Sequence, residues 1–232
     1  MKKIGIIGAM DEELEMLLDK IEIKNKKEIA KMVFYEGKLL GKSVILVRCG
    51  IGKVNAALCT QILISEFKIE AVINTGVAGA VSKNLDIGDI VVSKDVIQHD
   101  FNATGFGYKL GEIPRLEEYI FKSNEKLIDI AKKISSEKLI DHKVSIGRIL
   151  SGDIFVASSD MKDKLWKNFK GDCAEMEGAA IGHACFLNDI PFVILRSISD
   201  KADGKAHGNF NDFVHQAAIN SANIVEKMVS LI

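Results

Sequence analysis

The chain has 232 residues, 47% of them hydrophobic, and 31 basic against 32 acidic residues give a formal charge of −1. That length supports a sizeable core in one domain, while the charge balance excludes the basic footprint of a nucleic-acid binder. The longest apolar runs are strand-sized, far short of the ~20 residues of a membrane-spanning helix.

In chain order, Lys3 to Ala9 reads as a short buried strand. Asp11, Glu12 and Glu13 follow too soon for a signal peptide, so the chain is expected to be cytoplasmic. Asp11 to Lys20 predicts a helix, with Leu14, Leu17 and Leu18 on one face and acid in the first turn. Met32 to Glu36 and Ser43 to Arg48 predict a hairpin around Gly37 and Gly41. The segment from Gly37 to Ser43 superficially resembles a phosphate-binding P-loop, but it places too few residues between its glycines and leads into a strand. Gly50-Ile51-Gly52-Lys53 opens a helix from Val54 to Phe67, and is either an anion-holding turn or a tight packing turn.

Ala71 to Thr75 predicts a strand closed by Gly76-Val77-Ala78-Gly79, and Asp89 to Ser93 another strand. A helix from Lys122 to Ser135 and a strand from Val144 to Leu150 follow, the latter ending in Ser151-Gly152-Asp153. The remaining elements are a helix from Gly178 to Leu187, a strand from Phe192 to Ser199 and a closing helix from Phe210 to Leu231. Near-continuous apolar strands alternating with helices imply an α/β sheet covered on both faces, in one domain over residues 1–232. The four cysteines read as buried hydrophobes, and no histidine or cysteine spacing implies a metal.

The chemistry concentrates where acids end apolar elements. Glu175-Met176-Glu177 precedes an apolar helix, Asp200 ends an apolar strand, and Glu13 follows the first strand. Charges at such places need partners or a task. Ligands of open α/β folds gather beyond strand carboxyl ends, which places Glu13, Gly76 to Gly79, Gly152-Asp153 and Asp200 together. The first-strand glycines lack dinucleotide-binding spacing, and acids follow where a pyrophosphate would sit.

Six segments, in order, carry a resemblance over essentially the whole chain: Ile4 to Glu13, Gly50 to Ala57, Asn74 to Gly79, Ser151 to Phe155, Glu175 to Ala180 and Arg196 to Asp200. Together they resemble 5′-methylthioadenosine/S-adenosylhomocysteine nucleosidases. The resemblance implies a three-layer α/β/α, nucleoside phosphorylase-like fold with a mixed, partly barrel-like sheet, and no cofactor. It implies hydrolysis of the N-glycosidic bond of 5′-methylthioadenosine and S-adenosylhomocysteine, and of 5′-deoxyadenosine. Asp200 then protonates adenine N7, helped by Ser199. Glu13 activates the water, with Arg196 fixing that water and the Glu13 carboxylate. Glu177 accepts from both ribose hydroxyls beside Met176, and Glu175 has a secondary role. Phe155 and Val156 wall the adenine, and Met10, Ile51 and Phe210 line the sugar and tail pocket. Phe106, Tyr108 and Pro114 reach across a homodimer interface toward the tail. Val77 departs from the family, many of whose members carry a serine there to help hold the water. The rival readings are a phosphate-dependent phosphorylase, an aminodeoxyfutalosine hydrolase and a non-catalytic adenosine sensor. The acidic first loop, Asp11-Glu12-Glu13, opposes phosphate in a dry site.

Overall fold

A computed structural model describes residues 1–138 and 142–232. Ten strands form one sheet: β1 (Lys3–Gly8), β2 (Glu22–Ile29), β3 (Met32–Leu39), β4 (Lys42–Arg48), β5 (Ala71–Ala80), β6 (Ile90–Gln98), β7 (Ile120–Lys122), β8 (Val144–Ser151), β9 (Cys173–Glu175) and β10 (Phe192–Asp200). Among the described residues six α-helices accompany it: α1 (Glu15–Leu18), α2 (Lys53–Phe67), α3 (Glu125–Lys138), α4 (Ser159–Phe169), α5 (Gly178–Leu187) and α6 (Ala206–Leu231). The strand order is β10-β6-β8-β9-β5-β1-β4-β3-β2, and β10 also pairs with β5. That second pairing closes β5, β10, β6, β8 and β9 into a barrel, and β1, β4, β3 and β2 extend it as an open sheet. β1 lies parallel to both β4 and β5, β10 is parallel to β5, and β10 is antiparallel to β6.

Alternation along the strands sorts side chains to two layers. Ile4 and Ile6 of β1 join a buried cluster with Leu17 of α1, Leu127 of α3 and Val225 and Met228 of α6. Ile7 joins another with Cys59 and Leu63 of α2 and Ile181 and Cys185 of α5. Each such fully buried aliphatic side chain contributes roughly 1.5–3 kcal/mol. All four cysteines are buried and free.

Several elements differ from their sequence expectations for local reasons. The helix expected over Asp11 to Lys20 is only the single turn Glu15–Leu18. Residues before it form turns, with Leu14 N–H and Glu15 N–H both donating to Asp11 C=O. β5 does not close at Thr75 but runs through Gly76 and Gly79 to Ala80. β2 is a polar, exposed edge strand rich in lysine, the composition that protects an edge from further pairing. The P-loop-like segment is a hairpin turn, with Leu40 at φ 49° and Gly41 at φ 80°, the left-handed pair a two-residue turn demands.

Candidate active site

The carboxyl ends of β1, β5, β9 and β10 open on a cavity of about 480 Å³, within the size range of small-molecule sites. Its lining contains Met10, Glu13, Ile51, Val77, Phe155, Glu175, Met176, Glu177, Ser199, Asp200 and Phe210, eleven positions expected from sequence. Ala9, Ala78, Gly79, Ala174 and Asn211 complete it. Val156 lies beside it, lining a small recess with Asp200, Phe155 and Met176. Phe155 and Phe210 meet edge to face, 5.9 Å between ring centroids, and form an aromatic wall. Phe106, Tyr108 and Pro114 do not line this chain's cavity, and Phe106 is 87% exposed.

Glu13 is held by backbone alone. Oε2 accepts from Ala9 N–H at 2.6 Å and Met10 N–H at 3.1 Å, and Oε1 from Val77 N–H at 3.1 Å. α1 begins beyond Glu13, so the donors on its carboxylate come from the loop and from β5 and not from a helix start. Burial raises its pKa, opposed by Arg196 and by those three amides. Gly76 makes the room: a Cβ there would lie 2.5 Å from Glu13 Oε1 and 3.2 Å from Arg196 Nη1.

Asp200 is 2% exposed at the end of β10. The register against β5 slips between Ile198 and Asp200, a bulge that re-aims the strand end. Asp200 Oδ1 accepts from Ala202 N–H at 2.8 Å, and Oδ2 from the Ser199 hydroxyl at 2.9 Å. It caps no helix, since α6 starts only at Ala206 with Lys205 as its cap. Burial raises its pKa, against the Ala202 and Ser199 hydrogen bonds. Gly79 gives it space, because a Cβ there would lie 2.8 Å from Asp200 Oδ1.

Arg196 corrects one expectation. Its guanidinium bonds not to Glu13 but to Glu175, with Nη2 also donating to Asn74 Oδ1 at 2.6 Å and Nη1 to Leu195 C=O at 3.0 Å. Burial opposes its charge, and Glu175, Glu13 and Glu177 outweigh burial. Glu175 is the hub of the barrel interior. It takes Arg196, the Ser151 hydroxyl, Glu177 N–H at 3.1 Å and Gly178 N–H at 2.8 Å, so it also caps the start of α5. Ser151 in turn accepts from Ala179 N–H at 2.7 Å. Ser151 and Asn74 escaped the sequence reading as individual residues, although both stand inside singled-out motifs. Barrel closure, which brings them to Arg196 and Glu175, has no local signal.

Glu177 stands at the N-cap of α5, φ −132° and ψ −42°, with Oε1 accepting from Gly52 N–H at 2.8 Å. Its Oε2 lies 3.9 Å from Arg196 Nη2. Burial, then the neighbouring Glu175 charge, push its pKa up to about 8. The two readings of Gly50 to Lys53 merge here. The turn does hold acidic groups at a helix start, and they are the protein's own: Glu177 on Gly52 N–H and Asp153 on Lys53 N–H.

A barrel mouth carrying separate buried carboxylates with raised pKa values around an apolar-walled cavity is the arrangement of an enzyme acting on a small molecule by acid–base chemistry. The chain belongs to the phosphorylase superfamily, whose family model matches residues 3–230, and within it to the 5′-methylthioadenosine/S-adenosylhomocysteine nucleosidase family. A nucleosidase of that name from Staphylococcus haemolyticus is 42% identical over 99% of this chain and 100% of its own length. The Neisseria meningitidis nucleosidase, solved in complex with methylthio-immucillin-A, superposes with a TM-score of 0.96 at 40% identity, covering both chains fully. The futalosine hydrolase of Helicobacter pylori superposes with a TM-score of 0.94 at 36% identity, over 100% of this chain and 98% of that one.

Proposed function

We propose that this enzyme hydrolyses the N-glycosidic bond of 5′-methylthioadenosine and S-adenosylhomocysteine, releasing adenine and the thioribose. One observation carries the mechanism: three buried carboxylates, Glu13, Glu177 and Asp200, face one cavity from unlike surroundings. Bond cleavage leaves positive charge on the sugar and negative charge on the departing adenine, so it calls for a proton on one side and water on the other. Asp200 supplies the proton to N7. Its burial favours the protonated acid, and Ser199 and Ala202 fix its orientation. Glu13 takes the proton of the attacking water, and its raised pKa makes it a stronger base than a solvated carboxylate. Glu177 accepts from the ribose hydroxyls, Met176 lies against the sugar, Phe155 and Val156 wall the base, and Phe210 lines the sugar and tail pocket. Arg196 acts through Glu175 and through its field on Glu13. Val77 offers the water no hydroxyl, but its N–H holds Glu13.

Hydrolysis is favoured over phosphorolysis because, among the described residues, the cavity lining includes no lysine or arginine to hold phosphate. A 5′ substituent of the futalosine type is the second reading, which the Helicobacter futalosine hydrolase keeps open. Parallel assays on both substrate types decide it by the larger kcat/KM. We also infer a cytoplasmic homodimer. Ile51 at the cavity and Val54 and Leu58, one turn apart on α2, are exposed apolar side chains, and Phe106 is available to a second copy. A monomer mass by light scattering would refute the dimer.

The Asp200→Asn substitution tests the acid. It keeps the size and the acceptor for Ala202 N–H, and the Ser199 hydroxyl can turn to accept from the new amide, but it cannot give the proton. Turnover should fall about 10²–10⁴-fold with nucleoside binding retained, measured by single-turnover adenine release and calorimetry. Near-wild-type release would remove Asp200 from the mechanism.

A further inference from the structure

Two loops that build the cavity, and a third beside them, meet at a triad of charged side chains outside its lining. The N-terminus of α2 divides its first two amides between two acids: Gly52 N–H goes to Glu177 Oε1 and Lys53 N–H to Asp153 Oδ1, each at 2.8 Å. Lys53 Nζ then reaches Asp100 Oδ1 at 2.6 Å and Gln98 Oε1 at 3.2 Å. Asp100 closes the ring, its Oδ2 accepting from Asp153 N–H at 2.9 Å. The ion pair is mostly covered, with Lys53 17% and Asp100 16% exposed. Burial pushes the Asp100 carboxyl up, but Lys53 and the Asp153 amide more than offset it and hold its pKa below the usual range.

None of the three residues lines the cavity, but Lys53 and Asp153 stand in segments that supply its residues. Gly52 N–H is the one amide on the Glu177 carboxylate among the described residues, and Lys53 is the next residue. Phe155 follows Asp153 by two positions. Asp100 roots the loop that carries Phe106 and Tyr108.

We propose that Lys53, Asp100 and Asp153 form a positioning latch, which fixes the diol acceptor Glu177 relative to the aromatic wall at Phe155. The latch rests on the reading of Glu177 given above. A covered ion pair that shares a hydrogen-bonded ring couples its members more strongly than an exposed pair does. Misplacement of a binding group by about 1 Å is enough to cost an order of magnitude or more.

Lys53→Met removes the charge and keeps the stem. It should raise KM for 5′-methylthioadenosine about tenfold and leave kcat within about threefold. The preference for the ribonucleoside over its 2′-deoxy analogue should shrink. Lys53→Arg should recover much of the loss, and Lys53→Met/Asp100→Asn should be no worse than the worse single variant. Unchanged KM, additive losses, or a fall in kcat alone would overturn the latch. Glu177→Ala is the control. If it too leaves ribose preference intact, the diol reading has failed, and the KM and double-variant results alone decide the latch. If it abolishes the preference while Lys53→Met does not, the latch has failed.

Discussion

At the scale of residues, the site is a set of carboxylates separated by their donors. Glu13 has three amides, Asp200 one amide and one hydroxyl, Glu177 one amide, and Glu175 a guanidinium, a hydroxyl and two amides. Only Glu175 has an intimate counter-charge. The ones that meet the substrate are left undercompensated, which is what makes them able to gain or lose protons. Glu177 shows the cost of this in stability. Its folded pKa of about 8 lies above the 4.5 of a free glutamate, so the folded chain keeps a proton that the unfolded chain has lost. That contribution is fully present below about pH 4.5 and is lost as pH rises through about 8. Glu177→Gln removes the titration. The melting temperature of the unliganded variant should therefore gain on wild type steadily from about pH 5 to about pH 9. A difference that stays constant with pH would contradict the assignment.

At the scale of elements, β5 is the strand on which the site turns. It pairs with β1, β9 and β10, and its two glycines leave the space that Glu13, Arg196 and Asp200 fill. Gly76→Ala should keep the fold, because its backbone is ordinary strand, but should push Glu13 off its amides. We expect kcat to fall about tenfold or more, with the melting temperature moved by less than about 4 °C. Equal activity would mean that Glu13 can relocate freely. The sequence was legible where periodicity is strong. α2, α5 and β10 stand within a residue of where their apolar patterns end. It was not legible where glycine breaks a pattern for tertiary reasons, as in β5, nor in the polar edge strand β2. The strands β7 and β9 are three residues each, too short for any period. Helix α4 was missed despite a usable signal: Ser158 caps it by accepting from Met161 N–H, and Leu165 and Phe169 form its buried face.

At the scale of the whole molecule, closure of the barrel by β5 and β10 turns segments far apart in sequence into one site. Glu13, Glu177 and Asp200 were legible as acids at the ends of apolar elements; the strand-end rule placed Glu13 and Asp200 together, but it also included Asp153, which lies outside the lining, and it did not reach Glu177. The Arg196–Glu175 pair was not, because only closure brings β9 and β10 to face each other across the interior. The same closure leaves a mouth walled by apolar side chains and acids, a site that suits a neutral nucleoside and repels phosphate. The most direct test of this account is chromatography of free adenine after incubating the purified protein with 5′-methylthioadenosine, with and without inorganic phosphate. Adenine release should be equal in both, with free methylthioribose as the other product. Release that requires phosphate and yields a sugar phosphate, or binding without any release, would contradict it.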